Sequence, residues 1–98
     1  MPVVSLFELQ AAEGRADDVR AILERIVADT KAFRGNRGVT VTVDAADQRR
    51  FVVVADWDEV ADHEAYLAWR AGAGAVDDLG PLMDGAPGGA RLLVLHRP

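Results

Sequence analysis

Apolar positions along the chain switch between two spacings, and the switches mark the elements. Val3, Val4, Leu6, Phe7 and Leu9 crowd β-forming residues into Val3–Gln10. The partial alternation predicts a strand buried on both faces for most of its length. Ser5 and Glu8 fall on opposite faces of it, so one of them points towards the interior; the pattern leaves open which. Ala12-Glu13-Gly14 breaks the strand. Val19, Ile22, Leu23, Ile26, Val27, Thr30 and Phe33 then recur at helical spacing, with Arg20, Glu24, Arg25, Asp29 and Lys31 on the other side. Asp17 and Asp18 suit the positive end of this helix, and Arg34-Gly35-Asn36-Arg37-Gly38 ends it.

Spacing reverts to two at Val39, Val41 and Val43, which alternate with Thr40 and Thr42. Asp44 to Arg50 is a polar connection of hairpin type, and Phe51–Trp57 reads as a central strand. Asp58 is placed to cap a second helix running from about Glu59 to Arg70. Gly72, Gly74, Gly80 and Pro81 limit its extension, Ala75 to Leu79 has room for one further turn, and Gly85 to Gly89 is a loop. Ala90 to His96 reads as the last strand.

The order is β-α-β-β-α-β, which is the ferredoxin-like α+β arrangement: a four-stranded antiparallel sheet with two helices on one face. The other face is left bare, and Phe51–Trp57 has no polar side to offer it. Such a patch exceeds what a soluble monomer exposes, so a homodimer closed sheet to sheet is expected.

Composition limits the chemistry. The 98 residues carry 11 Lys and Arg against 16 Asp and Glu, for a net charge of -5. That balance argues against nucleic acid, whose phosphates require clustered positive charge. A chain of this length holds one domain, 1–98, with one core. The absence of cysteine removes disulfides, thiolate metal sites and cysteine nucleophiles. No apolar run approaches a membrane span, and Met1-Pro2-Val3-Val4 lacks the basic start of a signal peptide, so a cytoplasmic location is expected. Gly72-Ala-Gly74-Ala lacks the strand–turn–helix context of a dinucleotide loop, Asp77-Asp78 reads as a solvated turn, and no metal-ligand spacing occurs.

The run Trp57-Asp58-Glu59-Val60-Ala61-Asp62-His63-Glu64-Ala65-Tyr66-Leu67-Ala68-Trp69-Arg70 resembles the antibiotic biosynthesis monooxygenase family, one branch of which leads from Trp-(Asp/Glu)-Ser into Tyr-Leu-x-Trp-Arg. Thr30 to Gly35 and Leu79 to Pro87 are similar to other family segments. The resemblance implies a dimeric α+β barrel with a pocket between sheet and helices in each subunit. It implies oxidation of an aromatic polyketide or quinol by molecular oxygen, with no cofactor and no metal. Ala55 departs from the Glu common in the family, and Phe7 stands where haem-degrading relatives place Asn and offers no hydrogen bond, so haem is not expected.

Cofactor-free oxygenation needs a group to deprotonate the substrate, groups to stabilise the anion, and a dry cavity. His63, Tyr66, Leu67 and Arg70 share one helix face at i, i+3, i+4 and i+7. His63 is the candidate base, Tyr66 and Arg70 the anion stabilisers, and Trp57 a stacking wall. Phe7 and Glu8 are expected as substrate-binding residues from the first strand. Each has a structural alternative: His63 a surface residue, Tyr66 and Trp57 core packing, Arg70 a cation on the helix dipole, Glu8 an inert edge carboxylate. His96 is expected at the solvent or the dimer rim. The rival functions are a cyclase or isomerase using the same pocket without oxygen, and a non-catalytic ligand-binding dimer.

Overall fold

The computed structural model describes residues 1–85 and 91–95. The elements are β1 (Val3–Gln10), α1 (Ala16–Lys31), β2 (Asn36–Asp44), β3 (Asp47–Trp57), α2 (Val60–Arg70), a 3-10 turn (Gly80–Leu82) and β4 (Arg91–Val94). The sheet is antiparallel in the order β2-β3-β1-β4. Each helix thus crosses over one intervening strand, giving the expected ferredoxin-like α+β fold.

Three boundaries differ from the sequence reading. The connection at 44–50 is a tight hairpin, with β3 starting at Asp47. Asp44 Oδ1 accepts from the Ala46 amide at 2.7 Å and Asp47 Oδ1 from the Arg49 amide at 3.0 Å, so two short carboxylates turn the chain. The Arg49 amide and the Gln10 side chain hold the Asp47 carboxyl below its ordinary pKa. Helix α1 stops at Lys31, and Phe33 packs from the loop beyond it, its ring 5.3 Å from Tyr66. Asp58 does not cap α2; Glu59 holds that position, and Asp58 pairs with Arg37 at 3.2 Å. Ala90, His96 and the segment 86–89 lie outside the described residues.

Strand parity sorts the core. Val3, Ser5, Phe7 and Leu9 stand opposite Trp57, Ala55, Val53 and Phe51 and face the helices. Val3, Leu9, Phe51 and Trp57 are each at most 3% exposed, and burial of a side chain of this size contributes roughly 1.5–3 kcal/mol. One cluster gathers Leu9, Phe51, Val19, Ile22 and Leu23. A second gathers Val3, Ala55 and Trp57 with Phe33, Val60 and Tyr66. Between them the apolar residues do not meet completely, and the gap is the cavity described below.

Two glycines seat α2. Gly35 has φ +84, and a Cβ there would collide with the Asp62 carboxylate; its carbonyl accepts from the Asp58 amide at 2.8 Å. Gly74 lies flat against the Trp69 ring, where a Cβ would overlap the indole. Both joints need a residue without a side chain.

The opposite sheet face carries Val4, Leu6, Val52 and Val54, all half-buried, and Leu93, which is 45% exposed. Thr40, Thr42 and Glu8 border them.

Candidate functional site

A cavity of about 210 Å³ lies between the sheet and both helices. From the sheet, β1 contributes Ser5 and Phe7, and β3 contributes Val53, Ala55 and Trp57. Helix α1 contributes Leu23, Ile26 and Thr30, α2 contributes His63, Tyr66, Leu67 and Arg70, and Val76 follows from the next loop. The helical period brings all four residues of the predicted α2 face to one wall. Phe7 and Trp57 also line it. Glu8 does not: it is exposed on the far face of the sheet, opposite Val52. The parity of β1 explains this, since Val3, Phe7 and Leu9 claim the helix face and take Ser5 with them.

Trp57 closes β3 and is 1% exposed. Its indole Nε1 donates to Ser5 Oγ at 3.1 Å. Its ring lies 5.1 Å from Tyr66 and 5.6 Å from His63, the latter edge-on at 62°. Stacked and edge-to-face contacts of this kind add stability beyond the area they bury.

His63 sits in the first turn of α2 and is 5% exposed. No hydrogen bond joins its ring to another described residue. Burial pushes the imidazole pKa below its ordinary value, partly opposed by the neighbouring Glu64. The ring is therefore neutral at pH 7 and has a lone pair to accept a proton.

The other end of the cavity is a closed network. Thr30 Oγ1 donates to the Ile26 carbonyl at 2.9 Å. Its single proton is thereby used, so the 2.8 Å contact between Thr30 and Tyr66 has the tyrosine hydroxyl as donor. Arg70 Nε donates to the Tyr66 oxygen at 2.8 Å. Arg70 Nη1 reaches the Gly74 carbonyl at 3.1 Å, and Nη2 reaches the Ile26 carbonyl at 3.3 Å and Thr30 Oγ1 at 3.4 Å. Its guanidinium also lies 4.6 Å from the centre of the Trp69 ring and 3.8 Å from Asp29 Oδ2. All three guanidinium nitrogens are engaged by protein groups.

Two polar cavity residues have no role assigned from sequence, Ser5 and Thr30. Ser5 was undecided between faces, although its parity with Val3, Phe7 and Leu9 held the answer. Thr30 belongs to the α1 stripe and opens the Thr30–Gly35 segment; a hydroxyl in an otherwise apolar stripe is its signal. Asp78, read as a solvated turn residue, receives Arg25 Nη2 on both carboxylate oxygens at 2.9 Å, which holds its pKa below the ordinary value. Among the described residues, no group of three or more His, Asp or Glu could hold a metal ion, and no helix is long and apolar enough to cross a membrane.

Comparison with known proteins follows this geometry. A protein from Deinococcus radiodurans, named as a candidate antibiotic biosynthesis monooxygenase, is 22% identical with a TM-score of 0.83, covering 98% of this chain and 94% of its own. A variant of SnoaB, a cofactor-independent oxygenase from Streptomyces nogalater, is 14% identical with a TM-score of 0.81, covering 99% and 95%. Rv0793 from Mycobacterium tuberculosis is 17% identical with a TM-score of 0.76, covering 100% and 98%. At these identities the likeness is one of fold. No curated protein matches the sequence. The profile of the antibiotic biosynthesis monooxygenase family matches residues 2–75. On that match the chain belongs to the antibiotic biosynthesis monooxygenase family.

Proposed function

We infer that the protein is a cofactor-independent monooxygenase acting on a small aromatic substrate of quinol or polyketide type. The observation that supports this reading is His63: a buried, neutral imidazole without a described hydrogen-bond partner, set in an apolar wall beside Trp57. The ring opens onto the cavity, where a ligand O–H or C–H meets a nitrogen that no described residue takes up. The likeness to SnoaB, a cofactor-independent oxygenase, supports the same reading.

In this reading Trp57 and Phe7 hold the substrate ring, and His63 removes a proton from the activated C–H or O–H. The resulting carbanion passes electrons to molecular oxygen, and a C–O bond forms. The hydroperoxide takes up the proton and loses water, leaving a new C=O. One oxygen atom enters the product, the other leaves as water, and the substrate supplies all the electrons. Arg70 acts on the developing anion through its charge while its donors stay on Tyr66, Thr30 and the two backbone carbonyls. Tyr66, whose proton goes to Thr30 and whose oxygen accepts from Arg70, acts by holding the guanidinium in place.

The same reading pairs two copies of the chain through the open sheet face, covering Val4, Leu6, Val52, Val54 and Leu93 as a homodimer. It places the protein in the cytoplasm. Sedimentation at micromolar concentration is expected to give a dimer; a clean monomer would remove this part of the proposal.

Oxygen consumption tests the activity. A one- or two-ring substituted hydroquinone is expected to draw one O₂ per substrate. Turnover without oxygen uptake would assign a cyclase or isomerase to the same base. Binding with no turnover across a panel of such compounds would leave a ligand-binding dimer.

A further inference from the structure

We propose that Ser5 is a substrate-binding residue, whose hydroxyl donates to a carbonyl or phenolic oxygen of the ligand beside Trp57. This rests on reading the cavity as a substrate site.

Three observations carry it. Ser5 lines the cavity and is only 6% exposed. Its oxygen accepts from Trp57 Nε1 at 3.1 Å, which fixes the oxygen in place. Its own proton meets no acceptor among the described residues. Buried hydroxyls ordinarily find a partner for that proton. The rest of the wall near it is apolar: Phe7, Val53 and Ala55.

Trp57 touches both groups that retain hydrogen-bonding capacity. Its Nε1 holds Ser5, and its ring meets the His63 edge at 5.6 Å. A flat ligand lying on this wall meets an acceptor at one end and a donor at the other. The acceptor takes a phenolic proton. The donor meets a second oxygen, conjugated to the first through the ring. Deprotonation at His63 moves negative charge onto that second oxygen, where the Ser5 hydrogen bond strengthens as the charge develops. The size of the ligand follows from the space. A cavity of about 150 Å³ takes one benzene ring, so about 210 Å³ has room for one to two fused rings.

The ligand class is therefore a one- or two-ring phenol carrying a conjugated carbonyl or second hydroxyl. A probe pair isolates the Ser5 contact: 6-hydroxy-1-tetralone, and 5,6,7,8-tetrahydro-2-naphthol, which lacks only the ketone oxygen. Binding is read by quenching of tryptophan fluorescence. The wild type is expected to prefer the ketone roughly fivefold, the ratio one ordinary hydrogen bond supplies. Ser5→Ala is expected to remove the preference while affinity for the deoxo analogue stays within about twofold. Ser5→Thr, which keeps the hydroxyl, is expected to retain it. Because Ser5→Ala strips Trp57 Nε1 of its acceptor, Ser5→Cys is measured beside it. Its near-isosteric thiol is a weak donor, and the preference is expected to fall there too. A wild type that binds both probes equally overturns the proposal. So does a preference that survives in Ser5→Ala, or in Ser5→Cys should the alanine variant fail to fold. Neither probe needs oxygen, so a Ser5-dependent preference in a protein that consumes none upholds the subsite while the oxygenase reading falls.

Discussion

At the Arg70 end of the cavity every strong donor meets an acceptor, whereas at the Trp57 end Ser5 and His63 keep capacity that no described residue takes up. Arg70, Tyr66, Thr30 and the Ile26 carbonyl form a chain of hydrogen bonds with one consistent direction, tying α2 to α1. Ser5 and His63 both meet one indole, and Ser5 is held only through its acceptor side. The contrast separates two uses of buried polarity. A closed network rigidifies the fold and is costly to break, because each partner it loses is left desolvated. Open groups in an apolar wall are free to gain from a ligand that completes them.

Breaking the closed end is expected to have the largest effect. Arg70→Ala removes four hydrogen bonds, leaving Tyr66 and Thr30 bonded only to each other and to the Ile26 carbonyl. Chemical denaturation is expected to show a loss of about 3–5 kcal/mol. Arg70→Lys should recover only part of it, since an ammonium cannot reproduce the planar fork. A loss below about 1 kcal/mol would mean that the network is not what joins the helices. Tyr66→Phe removes two of the network's hydrogen bonds and is expected to cost about 1–2 kcal/mol in the same assay.

The fold was legible because its signals are local. Period-two runs and one long amphipathic stripe marked the strands and α1, and β1 was placed residue for residue at Val3–Gln10. The hairpin at 44–47 was misjudged because Asp and Arg read as loop, while here they lie on the exposed end of β3, where pairing to β2 and two carboxylate-capped turns outweigh composition. The α2 wall was legible from spacing on one helix. Ser5 and Thr30 were not assigned because their roles depend on contacts across 52 and 36 residues, with Trp57 and Tyr66 respectively. Chain position offers Arg70 as an anion stabiliser or as a cation on the helix dipole, and nothing in its neighbourhood along the chain marks the backbone carbonyls of Ile26 and Gly74 as its partners.

The open end makes a smaller, pH-dependent contribution. His63 has a lower pKa folded than unfolded, because burial disfavours the imidazolium. As pH falls below about 6.5, the ordinary imidazole value, the unfolded chain binds the proton first. Stability therefore decreases with falling pH in that window, and levels off below the folded pKa. Subtracting the same titration for His63→Gln, which has no proton to bind, is expected to leave this decline as the difference. A difference of zero or of opposite sign would place His63 in a charged or solvated setting. A saturating ligand that engages the ring is expected to change the size of this difference.

The paired rates of His63→Ala and Tyr66→Phe, measured as oxygen uptake with the same hydroquinone, test the distinction between the two ends most directly. The account expects His63→Ala to lose roughly 10²–10⁴ in rate, as removal of a general base does, and Tyr66→Phe to lose less than about tenfold while losing stability. Equal rates for wild type and His63→Ala, or a deeper loss in Tyr66→Phe than in His63→Ala, would contradict it.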